Sequence, residues 1–174
     1  MSQPYQPYGA APTSGTPAGL GERFLARLID GVILAVVSLV VGALLGGGLV
    51  AMGSTDTDGL NAAAATGTLI GVAINFVYYG LLDSAQGATL GKKALKLRVV
   101  GPDGTSNVSF TDSVKRNVFF ALSLVGVVPF LGYIASIVSL AALILIAVQI
   151  SQDTARRQGW HDKFAGGTRV LKVG

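Results

Sequence analysis

The chain has 174 residues, 51% hydrophobic and 13% charged, with a formal net charge of +4 and no cysteine. An average soluble domain carries about 25% charged residues, so this balance excludes an ordinary water-soluble domain, and the absence of thiols excludes disulfides, thiolate metal sites and thiol-linked lipid. The charges sit beside apolar runs rather than in a separate basic tract, which points to a membrane surface and away from nucleic acid.

Residues 1–19, MSQPYQPYGAAPTSGTPAG, hold no charge and four of the six prolines. Such a segment buries too little apolar area to offset its ordering entropy and is expected to be a disordered cytoplasmic tail. It lacks the basic start and cleavage-type end of a removable signal peptide. A membrane domain is expected over 20–174. Its first two apolar segments, 28–48 and 62–82, are long enough as helices to cross a hydrocarbon core of about 30 Å. Between them, STDTDGLN is a polar loop without Lys or Arg.

Ser84 to Asn117 is hydrophilic. Within it KALKLRVVGPDGTS alternates into a Pro-Asp-Gly turn, and GGTRVLKV near the other end alternates likewise; two strands that pair on one side of the membrane are expected. The apolar run Val118 to Ile150 is interrupted by Pro129 and Gly132, which break a continuous helix. It reads as two arms, 114–128, short or re-entrant, and 133–150. The expected fold is therefore an all-α polytopic membrane protein with about four membrane helices in two hairpins and a small cytoplasmic strand pair.

Basic residues set the orientation. Arg23 and Arg27 precede the first segment; Lys92, Lys93, Lys96, Arg98, Lys115 and Arg116 lie between the second and third; Arg156, Arg157, Lys163, Arg169 and Lys172 follow the fourth. Positive charge near helix ends stays cytoplasmic, so both termini are expected there.

Several residues invite functional readings. Arg27 and Asp30 are i, i+3 neighbours at the start of the first segment, and a carboxylate inside an apolar run is either a clamp or an ion site. Asn75 is a polar group in the second segment. Gly67 and Gly71, with Gly42 and Gly46 in the first, have the small-residue spacing of close helix packing. GATLGKK fails as a phosphate loop because its glycines are too close and Lys93 stands where Ser or Thr is needed; Lys92 and Lys93 read instead as contacts to lipid headgroups. The single histidine, His161, cannot build a His-rich metal site, and nothing resembles a nucleophile with its base. No catalytic residue, metal or cofactor is expected, and the chain is not expected to be an enzyme.

ARLID, GATLGKKALKLRVV and RRQGWHDKFAGGTRV, in this order around apolar runs, resemble the RDD family of membrane proteins, named for one arginine and two aspartates. The resemblance covers about residues 20–173. It implies that Arg27 and Asp30 are the first two signature residues and Asp162 the third, with Asp83 as the alternative. It also implies a multi-pass protein of the bacterial plasma (inner) membrane. Transport of a small cation or solute, proton-coupled and in a homo-oligomer, is the expectation; a non-transporting scaffold or assembly factor, acting through the tail and basic face on a membrane protein partner, is the alternative. The bilayer is the expected surrounding in either case.

Overall fold

The structure, a computed structural model, describes residues 15–51, 57–125 and 129–174. It is mostly helical, with three helices long and apolar enough to cross a membrane, Leu20–Leu45 within α1 (Leu20–Ala51), α2 (Thr57–Gln86) and Tyr133–Gln152 within α6 (Pro129–Gln152). At 1.5 Å per residue these helices measure about 48, 45 and 36 Å, each more than the hydrocarbon thickness. Their flanks are exposed and apolar: Leu39 and Leu44 on α1 and Ile137 on α6 are each at least 69% exposed, which is tolerable only against lipid. Polar side chains in α2 bond backward. Thr66, Thr68 and Ser84 donate to the carbonyls of Ala62, Ala64 and Gly80 at 2.8, 2.9 and 2.6 Å, which satisfies a hydroxyl where water is scarce.

The expected fourth crossing, 114–128, departs from a membrane helix. α4 (Phe110–Arg116) starts on Ser109, whose hydroxyl accepts from the Asp112 amide, and stops at Asn117. A 3-10 turn (Val118–Ala121) and α5 (Leu122–Val125) follow; residues 126–128 lie outside the described residues. The reason is local: Arg116 and Asn117 are 4% and 1% exposed, held in the polar cap described below, so a helix into the apolar region cannot begin before Val118.

At one end of the long helices lies a small sheet. β2 (Leu97–Val100) pairs antiparallel with β3 (Arg169–Lys172) in the register Leu97 to Lys172, at the two alternating stretches read from sequence. A third strand, β1 (Thr16–Pro17), pairs with the other edge of β3. The expected tail therefore ends short of residue 19: Ala18 is fully buried and its amide donates to the Val170 carbonyl at 2.9 Å. Pro17 fits because an edge strand can spare a donor. Residues 1–14 lie outside the described residues. Leu97, Val99, Val108 and Val170 join Ala18 and Ala26 in one apolar core, which fastens the sheet to the start of α1. Between α2 and β2, α3 (Leu90–Ala94) lies across α1, and α7 (Trp160–Phe164) lies between α6 and β3.

Candidate functional site

Three aspartates, each at most 1% exposed, gather where the long helices meet the sheet. Asp30 lies about three turns into α1. Its Oδ1 accepts from the Tyr78 hydroxyl and the Gly91 amide, both at 2.7 Å, and its Oδ2 from the Thr89 hydroxyl at 2.6 Å. The TLG of GATLGKK is thus a cradle for this carboxylate. Gly91 is required by closeness: a Cβ there would overlap the Ala26 carbonyl oxygen and stand 2.9 Å from Asp30 Oδ1.

Asp83, near the end of α2, takes the Lys92 ammonium on both oxygens, at 2.6 and 2.7 Å. Lys92 is 5% exposed, so its assignment to lipid headgroups is corrected. One residue is a 100° step on a helix, which turns Lys92 inward and leaves Lys93 exposed beside Gln86. Burial pulls the Lys92 ammonium down to about 8 although Asp83 opposes it.

Asp162 sits in the first turn of α7, where Oδ2 accepts from the Gly159 amide at 3.1 Å. Two guanidiniums share it: Arg23 Nη1 lies 3.1 Å from Oδ2, and Arg116 Nε lies 3.0 Å from Oδ1, close enough for an ion pair but off the hydrogen-bond axis. Burial alone would raise this carboxyl; Arg116 and Arg23 outweigh it and hold it below the ordinary range. His161 Nε2 lies 3.5 Å from the same oxygen. Burial takes His161 down to about 3, with Arg116, Arg27 and Arg23 together opposing the pull of Asp162, so the imidazole is neutral at working pH.

The signature residues are brought into one cap but with other partners than their spacing implied. Arg27 donates to Asn117 Oδ1 at 2.7 Å and stacks its guanidinium 4.4 Å from the centre of the Tyr79 ring, while Asp30 is taken by Tyr78, Thr89 and Gly91. Asp162 belongs to Arg23 and Arg116, and Asp83 to Lys92. Sequence reasoning missed Arg116, Asn117, Thr89 and Tyr78 as members. The available signal was an Arg-Asn pair set directly against an apolar run, where an unpaired cation would be costly.

Asn75, a polar group of the second segment, donates to the Gly71 carbonyl of its own helix at 2.9 Å. Gly42, Gly67 and Gly71 line a gap of about 120 Å³ between α1 and α2, and a Cβ added at any of them meets nothing within 4 Å. They leave space rather than bring backbones together. The surroundings of Gly46 lie outside the described residues.

The neutral His161 gives a pH signature. Its folded value lies below the 6.5 of a free imidazole, so on acidification the unfolded chain takes up the proton first. The contribution is complete above about pH 6.5 and is lost as pH falls, by up to about 1.4 kcal/mol per unit. Thermal unfolding in detergent should show this loss between about pH 6.5 and 4.5, a window above the carboxylates, and His161→Gln should flatten it. An unchanged acid slope in the variant would place the titrating group elsewhere.

Beyond the cap, a cavity of about 780 Å³ opens between α1, α2 and α6. Arg23, Arg27, Lys92, Arg116 and His161 line its floor; Leu34, Leu143, Ile146 and Ala147 are among the apolar walls, with Ser38 and Asn75 at the side.

Long apolar helices closed at one end by a buried charge cluster and a small sheet define a helical protein of membrane type. The chain belongs to the RDD family, whose profile matches residues 17–166. It is similar to the uncharacterized protein YxaI of Bacillus subtilis (strain 168), 35% identical over 129 residues, which is 68% of this chain and 83% of that protein. No solved structure matches it significantly.

Proposed function

We propose that this RDD protein is a solute-binding membrane protein of the transport type, homo-oligomeric and seated in the bacterial plasma membrane with its cap in the cytoplasm. The cytoplasmic placement rests on the distribution of Lys and Arg.

The observation that carries the functional reading is the cavity. Its volume lies within the roughly 300–1,000 Å³ of small-molecule sites, and apolar walls with a few convergent polar groups are what such sites look like. A pure scaffold has no use for it. A small cation, the other half of the expectation drawn from Asp30, fits poorly, because Arg23, Arg27, Lys92 and Arg116 line the floor while Asp30 is taken up by its hydroxyl and amide donors.

Because the chain has no cysteine, single thiols report on the cavity directly. A thiol reacts as thiolate, which forms only where water reaches it. In nanodiscs of phosphatidylcholine, Ala147→Cys in the cavity wall should react with a maleimide at least about tenfold faster than Ile137→Cys on the lipid-facing side of α6. Equally slow reaction at both would remove the cavity as a solute site.

A further inference from the structure

The cavity is a two-part chamber. Its floor carries four cationic side chains, whereas Asp30, Asp83 and Asp162 are absent from its described lining. Two of those cations share one carboxylate, Asp162. Arg23 and Arg116, two of the lining residues, are 8% and 4% exposed, and their Nη2 and Nη1 atoms are buried and find no hydrogen-bond partner among the described residues. A charged donor left unpaired away from water is costly, and a floor of four cations with none of the three aspartates in its described lining suits an anion. The rim has the opposite character. Phe24, Leu28, Leu143 and Ile144 line it and are each more than half exposed, on the faces of α1 and α6 that meet lipid. With the cap at the cytoplasmic surface, as proposed above, a mouth between α1 and α6 faces the acyl region and the floor lies at headgroup depth.

Resting on the solute-site reading above, we propose that the cavity binds an anionic amphiphile: a phosphate or carboxylate head on Arg23 and Arg116, and a hydrocarbon chain along Leu34, Leu143, Ile146 and Ala147, entering laterally between α1 and α6. Arg suits the head because its planar fork can hold Asp162 with one edge and present the other to a second oxyanion. Each methylene that the hydrocarbon chain buries adds to the affinity, a gain that a free anion lacks.

The test uses Ala147→Cys in phosphatidylcholine nanodiscs and measures protection from the maleimide by three probes: lysophosphatidylglycerol, lysophosphatidylcholine and glycerol 3-phosphate. Lysophosphatidylglycerol should protect at a concentration at least about tenfold lower than either of the others. Equal protection by lysophosphatidylcholine would overturn the anionic class, equal protection by glycerol 3-phosphate would make it a site for a free anion, and protection by none would overturn the proposal. In each of these outcomes a fast-reacting thiol at position 147 leaves the solute site standing, whereas a slow one removes the site itself. Arg116→Gln should raise the protecting concentration of lysophosphatidylglycerol by at least about tenfold. Should that variant not fold, the intact floor is read by reagent charge: a thiosulfonate bearing a sulfonate should modify the thiol of Ala147→Cys at least about tenfold faster than one bearing a trimethylammonium, after correction for their rates on free thiol. Equal corrected rates would overturn the electrostatic argument.

Discussion

Asp162→Asn is expected to lower stability by about 3–5 kcal/mol, the range for removing one partner of a buried ion pair. The substitution keeps the shape of the side chain but takes the carboxylate that pairs with both Arg23 and Arg116, leaving two guanidiniums in a region where Asp162 itself is fully buried. An exposed pair is the contrast: Asp112→Asn, which loosens a 3.4 Å contact to Lys115 at the surface, should cost about 0–1 kcal/mol. Chemical unfolding in a mixed micelle measures both. Combining substitutions then maps the cap. Asp30 and Asp83 are joined through consecutive residues, Gly91 with Lys92 on α3 and Tyr78 with Tyr79 on α2, so Asp30→Asn and Asp83→Asn should couple by about 0.5–3 kcal/mol. Coupling of Asp30 with Asp162 should be smaller, within about 0.5 kcal/mol of additivity. The reverse order would merge Arg27, Asp30 and Asp162 into one unit.

Gly91→Val should be more damaging still. The obstacle at this position is the backbone of α1 at Ala26, which cannot turn aside as a side chain can. α3 would have to lift from α1, and with it would go the Gly91 and Thr89 donors to Asp30 and the Lys92 partner of Asp83. Overpacking costs about 1–3 kcal/mol and each stranded buried group about as much again; together they approach the whole stability of a typical domain, about 5–15 kcal/mol. Size-exclusion chromatography should show loss of the monodisperse peak. Gly21→Ala, where a Cβ meets nothing within 4 Å, should leave it intact, and equal loss from both would remove the close approach of α3 to α1 as the cause.

Much of the architecture was legible because it is written in local patterns. The three long helices follow from apolar length, and β2 and β3 from alternation. β1 was not legible: two residues, one of them proline, form a strand only because β3 offers a free edge. The cap shows the same division more sharply. The charged residues could be located from sequence, and Arg23, Arg27, Asp30 and Asp162 stand close together in space. Their pairing could not, because the partners lie far apart along the chain. Asp30 finds Thr89 and Gly91, and Asp162 finds Arg23 and Arg116, while the i, i+3 spacing favoured Arg27 with Asp30. Lys92 and Lys93 are equivalent in composition, and only the rotation of a five-residue helix makes one a buried ion-pair partner and the other a surface group.

The position of β3 in the sheet bears on biogenesis. It is the central strand, hydrogen-bonded to β1 on one side and β2 on the other, yet it is synthesised after both. During translation the two outer strands must wait with their edges open, and Arg23 and Arg116 must wait for Asp162, until the segment beyond α6 emerges from the ribosome. Cap closure is thus a late event that can occur only after the apolar helices have been threaded into the bilayer, and a ribosome stalled before residue 160 would leave a nascent chain with its helices inserted and its cationic end still open to quality-control proteases.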